Sequence, residues 1–558
     1  MNDINPKILE LLALRGITTE EDIAEFLSNK PKKTYDPFLL LNMEAGVDLI
    51  LKTIKQKKKI CLYGDYDVDG ITSICILKIL LSHLTENITY YIPSRFHEGY
   101  GLNRCAIDKL KTQNVDLIIT VDCGSTSFEE VEYAKSLGLD IMVTDHHSIM
   151  DKKADCILIN PKQESCPYPF KGLAGCGVAF KLAQAIRERA KLPKSVTNGL
   201  LDIVAIGTIG DIVPLVDENR TLAKFGLYEL NKRDRLGIKL LVEAISMNTL
   251  SLKSDQIAFC IVPHLNAAGR MKDALIGVDL LLSNDSFRAR ELASELVKHN
   301  AERKRIQEET FNHCQELKEI QCNDAIFPII RAENAHEGIT GIVAGKLKDI
   351  YERPVIIATP CEGQLKGTGR STDKIDLFQL LDRHRDLFVR FGGHQGACGF
   401  LIDEENFEEF RTKANEDLVR QVESNPNLFQ KKSQYDMKLT GSDLTLQFMD
   451  QLELMEPFGC KNRRPIFCLN GVLICGLQRM GKDGNHAKFF ASSKDGSASE
   501  CVLFSKAQQY EDLLASNQPL NLYGTLQLNC WNGSKKVQFV VDKIELEAAP
   551  IGSEANLS

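Results

Sequence analysis

Between Tyr63 and Ser73 the chain reads Tyr-Gly-Asp-Tyr-Asp-Val-Asp-Gly-Ile-Thr-Ser. Asp65, Asp67 and Asp69 put three carboxylates within five residues, and Gly70 behind them is expected to let the backbone turn sharply. Like charges this close repel unless a cation lies among them, so the stretch points to a divalent metal. The same opening begins a calcium loop, but such a loop needs Glu at its twelfth position, which here is Ile76. The plainer alternative is a solvated acidic turn.

Four further groups argue against an isolated turn: Asp122, His146, His147 and Asp211 each stand at the edge of an apolar run. Hydrolysis of a phosphodiester needs neutralised phosphate oxygens, a nucleophilic water and a stabilised leaving oxygen, and two divalent ions about 4 Å apart can provide all three. Asp67, Asp69, Asp122, His146 and Asp211 form a mixed oxygen and nitrogen donor set compatible with manganese. Asp122 is the expected bridge between the ions. His147, next to a ligand, is suited to contact the scissile phosphate or protonate the leaving group.

Segments that would position these groups alternate between strand and helix. Residues 59–63, 116–121, 140–144 and 156–160 read as strands, and 71–84 and 127–137 as helices. That alternation predicts a parallel sheet covered on both faces, with ligands beyond the carboxyl ends of its strands. Helical stretches at 172–189 and 200–206 lead to Gly210-Asp211-Ile-Val-Pro214, where a lone carboxylate between apolar runs is costly unless paired or metal-bound. Residues 286–320 lack Gly and Pro and predict a connecting helix of roughly 50 Å.

A second α/β unit begins at Ile326, with strands 326–330 and 354–358. After a polar stretch at 421–434, short alternating segments at 466–469, 472–477, 487–491, 520–528 and 536–541 predict a small β-barrel of the oligonucleotide-binding (OB) type. Residues 1–45 read as small helices, with Thr18 or Thr19 capping 20–29. The expected division is therefore 1–45, 46–285, 286–320, 321–425 and 435–546.

Composition bounds the rest. A 558-residue chain with 43% apolar and 26% charged residues suits three or four globular domains. No apolar run approaches the roughly 20 residues of a membrane span, and the polar N-terminus has no signal-peptide core, so the expectation is a cytoplasmic protein without a membrane partner. The 17 cysteines are odd in number and lack Cys-x-x-Cys spacing; Cys75, Cys260, Cys475 and Cys501 sit in apolar runs and read as reduced core residues. A net charge of −8 excludes a uniformly basic protein, though not one with a basic groove.

Taken in order, Asp65-Tyr-Asp-Val-Asp-Gly70, Val121-Asp-Cys-Gly124, Asp145-His-His147 and Gly210-Asp-Ile-Val-Pro214 resemble the motifs of the DHH phosphoesterase superfamily. Segments 93–101 and 265–270, together with Gly367-Thr-Gly-Arg-Ser371, Gly392-Gly-His394, Glu456-Pro-Phe-Gly459 and Trp531-Asn-Gly533, narrow the resemblance to the RecJ single-stranded-DNA exonucleases. It runs from about residue 8 to 545. The resemblance implies 5′→3′ degradation of single-stranded DNA to mononucleotides with two Mg²⁺ or Mn²⁺ ions, in recombination and repair. It implies a DHH domain, a long helix, a DHH-associated domain and an OB fold, working as a monomer beside a helicase and a single-strand-binding protein.

Carried onto this sequence, Arg95, Arg270 and Arg370 hold phosphates near the 5′ end, with Tyr100, Asn266, Thr368, Gly392, Gly393 and His394 also against the DNA. Asp65 joins the catalytic set with Asp122 and His147, holding the first ion or its waters. Trp531 is suited to stacking on a base or to packing, and the basic runs 57–59 and 461–464 to DNA contact or solvation. The sequence departs from the family pattern at His264, at the segment after Gly459, and at Tyr63, where superfamily pyrophosphatases carry a metal-binding histidine. Two other readings carry their own marks. A small-substrate pyrophosphatase would leave the C-terminal barrel unused, and a non-enzymatic scaffold would have a broken ligand set; no ligand is missing here.

Overall fold

A computed structural model describes residues 4–547 apart from 96–97, 99–100, 150–151, 248, 250, 324, 430–434 and 532–533, and without the side chains of 530 and 531. The expected contacts of Tyr100, the side chain of Trp531 and its Asn-Gly turn lie outside the described residues.

Short aliphatic runs form the first sheet: β1 (Ile60–Gly64), β2 (Ile88–Tyr91), β3 (Leu117–Val121), β4 (Asp140–Thr144) and β5 (Ile157–Ile159). The strands are all parallel, in the order β2-β1-β3-β4-β5. β1 and β3 are buried along their whole length, as strands covered on both faces must be. Sequence reading missed β2, an edge strand with a half-exposed middle that lacks a continuous apolar signal.

The helix expected at 71–84 is α1 (Val68–Leu81), which starts earlier because Asp67 caps it: Asp67 Oδ1 accepts from Asp69 N at 2.9 Å and Gly70 N at 3.2 Å. Asp69 therefore sits in the first helical turn and not at a strand end. Gly70 does not make the sharp turn expected of it; a Cβ there would lie 2.3 Å from Asp65 O, so the position requires close backbone approach. Around α1 pack α2 (Gly175–Arg189) and α3 (Leu201–Gly210), which explains why α1 is apolar on every side. α4 (Val262–Met271) follows a single π-helical turn, Ile257–Ile261.

α5 (Ser286–Gln321) is the expected connector, 36 residues long. Its N-terminal half buries Leu292 and Leu296 in the first core, and its C-terminal half buries Phe311 and Cys314 in the next. The second sheet contains β6 (Ile329–Arg331), β7 (Val355–Cys361), β8 (Gln364–Arg370), β9 (Phe388–His394) and β10 (Ala397–Asp403), ordered β6-β7-β8-β10-β9. The Gly-Thr-Gly-Arg segment thus runs along β8, and Gly392, Gly393 and His394 end the edge strand β9.

Six strands make the third unit: β11 (Met437–Leu439), β12 (Phe467–Met480), β13 (His486–Ser492), β14 (Ala498–Leu503), β15 (Leu520–Trp531) and β16 (Ser534–Leu546). β12 pairs with both β13 and β15, which closes the barrel. The expected strands 466–469 and 472–477 are one long strand with a register shift between Leu469 and Val472. Ile8, Leu11, Leu12, Ile23 and Phe26, from helices Pro6–Ala13 and Glu20–Leu27, enter the barrel's core, a contact across more than 400 residues that no local pattern signals. Thr19 caps the second of these helices. Arg220 is 4% exposed and donates to the carbonyls of Phe26, Leu454, Met455 and Glu456, tying barrel and N-terminal helices to the first lobe.

No described cysteine is in a disulfide. Cys75 and Cys501 are buried as expected, but Cys475 is exposed because it lies on the outer face of β12, and Cys260 is half-buried on the π turn. No described helix is long and apolar enough to cross a membrane.

Candidate active site

Four loops at the carboxyl ends of the first sheet and the end of α3 bring the acidic residues together. Asp65 follows β1, Asp122 follows β3 with φ +60°, Asp145-His146-His147 follow β4, and Asp211 caps the C-terminus of α3. Asp67 and Asp69 come in over the start of α1. Oxygens or imidazole nitrogens of Asp65, Asp67 and Asp122 lie within 4.8 Å of one another, as do those of Asp69, His146 and Asp211, and those of Asp122, His146 and His147. Asp122 belongs to two of these sets, as a bridging carboxylate would.

Asp69 is fully buried and held by the start of α2, its two oxygens accepting from Gly175 N at 2.6 Å and Cys176 N at 2.8 Å. A Cβ on Gly175 would come 2.7 Å from Asp122 Cβ and 2.8 Å from Asp69 Oδ2, so only glycine lets α2 approach both carboxylates. His147 Nδ1 lies 2.7 Å from Asp145 Oδ1, which also accepts the backbone N–H of His146 and His147. Ser125 N donates to Asp145 Oδ2, and Asn160 Nδ2 donates to Ser125 Oγ and to His147 O.

The donor set fits divalent ions. Asp65 Oδ1, Asp122 Oδ1, His146 Nε2 and Asp211 Oδ2 are buried without a hydrogen-bond partner. His146 Nε2 comes to 3.2 Å from Asp122 Oδ1, 3.6 Å from Asp211 Oδ2 and 3.7 Å from Asp69 Oδ2, close in distance but not aligned for hydrogen bonding. Among the described residues, no lysine or arginine forms an ion pair with Asp69, Asp122 or Asp211; the basic groups at that range are the imidazoles of His146 and, for Asp122, His147.

Electrostatics agrees with this reading. Burial, then repulsion from neighbouring carboxylates, raises Asp65 and Asp122 well above the ordinary range, Asp69 to about 6 and Asp211 to about 9. Burial and the charge of His147 push His146 down to about 3, which keeps its imidazole neutral and able to ligate. Burial also opposes a charge on His147, yet the Asp145 hydrogen bond and the surrounding carboxylates raise it overall. Burial is the largest single influence on Asp145 and would raise it, but the His147 hydrogen bond, the histidine charges and the Ser125 N–H together hold it below the carboxylate range.

Beside this cluster stand the three arginines. Arg95 lies over the Tyr66 ring at 5.0 Å, Arg270 Nη1 donates to Gly338 O at 3.0 Å, and Arg370 Nη1 donates to Gly369 O at 3.0 Å. Arg95 is close enough to depress both Arg270, to about 10, and Arg370, although burial is the larger cause for each. Thr368 Oγ1 is 3.4 Å from Thr340 Oγ1 on the helix facing β8. His394 is exposed at its surface side, and its partial enclosure, then the charges of Arg370 and His147, lower it.

At Gly392 nothing stands within 4 Å of an added Cβ, whereas at Gly393, with φ +148°, the Cβ would meet Ala397 O at 2.3 Å. Asn266 turns its Oδ1 to Val68 N at 2.7 Å and so braces the start of α1. Tyr63 is buried, its hydroxyl donating to Gly101 O and accepting from Asn103 Nδ2. Of the basic runs, Arg464 pairs with Asp255 and Glu456, and Lys59 Nζ donates to Gln113 O. Gly175, Cys176, Ser125 and Asn160 escaped sequence reading because three of them act through backbone N–H groups or close approach. Only the position of Asn160, directly after β5, offered a signal.

Family models match three stretches of the chain: the DHH family N-terminal domain over residues 59–208, the DHHA1 domain over 325–420 and the RecJ OB domain over 435–543. The single-stranded-DNA-specific exonuclease RecJ of Bacillus subtilis is 36% identical over 96% of this chain and 68% of its own length. The Haemophilus influenzae protein of the same name is 34% identical, over 97% of this chain and 96% of its own length. A crystal structure of RecJ from Thermus thermophilus in complex with Mn²⁺ superposes with a TM-score of 0.82 at 28% identity, covering 99% of this chain and 78% of that one; the Mg²⁺ complex gives 0.77, covering 98% and 75%. Likeness of this extent, running through both α/β lobes and the closed barrel, makes the chain a member of the RecJ family.

Proposed function

We infer that the protein is a 5′→3′ exonuclease that hydrolyses single-stranded DNA to 5′-mononucleotides, with Mg²⁺ or Mn²⁺, in recombination and repair. The observation that carries this reading is the group of buried, unpartnered donors on Asp65, Asp122, His146 and Asp211 beside three arginines. The relatives' printed activity and the metals of the superposing structures support it. Asp67, Asp69, Asp122, His146 and Asp211 would hold two ions, with Asp122 shared and Asp65 beside the first. Once bound, such ions supply a nucleophilic water near neutral pH and stabilise charge on the phosphate.

The chain's own residues do the rest. Arg95, Arg270 and Arg370 orient the terminal phosphates, and Gly392 leaves open space for the strand. Water adds to phosphorus while the bond to the 3′-oxygen of the terminal nucleotide breaks. With Nδ1 committed to Asp145, proton delivery to that oxygen falls to His147 Nε2. Asp145→Asn is expected to lower kcat about 10- to 100-fold, the usual cost of losing an orienting partner, with KM little changed; single-turnover digestion measures it.

The division 1–45, 46–285, 286–320, 321–425 and 435–546 is retained as our proposal, with the barrel as the DNA-holding part. The enzyme would act in the cytoplasm as a monomer, on strands opened by a helicase and covered by a single-strand-binding protein. Because arginine–phosphate contacts dominate, affinity should show little sequence preference and fall with salt, the log–log slope growing by roughly 0.7 per phosphate contacted. Release of mononucleotides from 5′-labelled single strands with Mn²⁺ tests the reading. Intact strands after incubation with wild-type protein would refute it.

A further inference from the structure

Arg95 stands on the connection between β2 and the helix Arg104–Thr112, whose described residues are 92–95, 98 and 101–103. Its charge is drawn by Asp65 and repelled by Arg270 and Arg370. Like charges gathered from a loop part into water unless the backbone beneath them is held. Glu98 holds it from two sides. Its N–H donates to Ser94 O at 2.9 Å, and its carboxylate accepts from Ser94 N and from the Tyr91 hydroxyl, each at 2.6 Å. Both peptide groups of Ser94, the residue before Arg95, are thus tied to one residue and through Tyr91 to the end of β2. Hydrogen bonds of this length to an ionised acceptor are the strong kind. With both oxygens so used, Glu98 braces the backbone under Arg95 without claiming the guanidinium.

Tyr91 is itself fixed. It pairs in register with Tyr63 of β1, and the two buried rings stack with centroids 5.6 Å apart and planes inclined by 27°. Lys109 Nζ stands 4.8 Å over the Tyr91 ring and 3.5 Å from its hydroxyl oxygen. Tyr63 reaches the far end of the connection, donating to Gly101 O at 2.9 Å and accepting from Asn103 Nδ2 at 3.1 Å. Asn103 in turn caps the following helix through Ala106 N. Burial raises both phenols, reinforced at Tyr91 by the Glu98 hydrogen bond, so each stays a hydroxyl able to donate. Two stacked tyrosines on neighbouring strands therefore anchor both ends, one through Glu98 and one directly.

We propose that Glu98, acting through Ser94 and Tyr91, is a positioning residue that sets Arg95 for the 5′-terminal phosphate, and that Tyr63 holds the other end of the same connection. Glu98 would then decide how strongly a phosphorylated 5′ end is preferred to a hydroxyl one. The inference rests on the reading of the three arginines as holders of terminal phosphate.

The test is equilibrium binding to the full chain, in EDTA, of two single-stranded oligonucleotides that differ only in a 5′-phosphate or a 5′-hydroxyl, followed by fluorescence anisotropy. Wild-type protein should favour the phosphate about tenfold, the scale of one hydrogen bond to a charged group. Arg95→Ala and Glu98→Ala should each remove most of that preference and leave affinity for the hydroxyl strand unchanged. Tyr91→Phe deletes one hydroxyl, keeps the stacked ring and so preserves the fold; it should lower the preference about threefold, part of the same hydrogen-bond scale. In an Arg95→Ala background Glu98→Ala should cost nothing further. Equal loss for both strands in Glu98→Ala and Tyr91→Phe, additive losses at 95 and 98, or a preference that only Arg95→Ala abolishes would overturn the positioning role alone. Wild-type protein indifferent to the 5′ group would sink the reading of the arginines and this inference with it.

Discussion

Replacing Asp122 by alanine is expected to lower single-strand digestion by about 10²- to 10³-fold, the scale seen when one group stabilising transition-state charge is removed. Asp122 is 2% exposed, and its oxygens belong to two of the three donor sets, so both halves of the cluster lose a ligand together. Stability should move the other way or hardly at all. Burial and four neighbouring carboxylates oppose its charge, and removing it relieves repulsion without deserting a lysine or arginine. Digestion of a 5′-labelled strand and thermal unfolding of the same sample separate the two effects. Loss of activity together with loss of the fold would contradict the assignment.

Gly175→Ala should cost nearly as much although residue 175 touches no substrate. Its Cβ would fall 2.8 Å from Asp122 Oδ1 and 2.8 Å from Asp69 Oδ2, with Asp122 Cβ at 2.7 Å. Either α2 retreats, taking the Gly175 and Cys176 N–H groups from Asp69, or the carboxylates shift. Displacement of this order lowers turnover about 10²-fold, and overpacking destabilises by about 1–3 kcal/mol. Addition of Mn²⁺ to high concentration should restore part of the activity if the lesion is misplaced ligands. Wild-type turnover in Gly175→Ala would mean that α2 does not set the site.

The metal-side chemistry was legible in the sequence because carboxylates and imidazoles follow apolar strands, and a parallel sheet sends every strand end to one rim. Asp65, Asp122 and His146 converge for that reason, and they are met there by Asp67 and Asp69 at the start of α1 and by Asp211 at the end of α3. What supports them was not legible. The bracing of Val68 by Asn266 and the grip of α2 on Asp69 are contacts across the fold whose residue types carry no signature. The same holds for the N-terminal helices, which read as helices without any sign of the barrel they meet. Cys475 misled because apolar neighbours on a barrel strand alternate between core and outer face, and it falls on the outer one. β2 was missed as a short edge strand, and α1 was placed late because the cap that starts it also belongs to the ligand motif.

The account stands on the capacity of this acidic cluster to gather two cations. Titration of the metal-free protein with Mn²⁺, with free ion followed by its electron paramagnetic resonance signal, measures that directly. Two Mn²⁺ should disappear from solution per chain, and Asp122→Ala should fail to take up the pair. Uptake of none, or two bound ions retained by Asp122→Ala and Asp69→Ala alike, would contradict it.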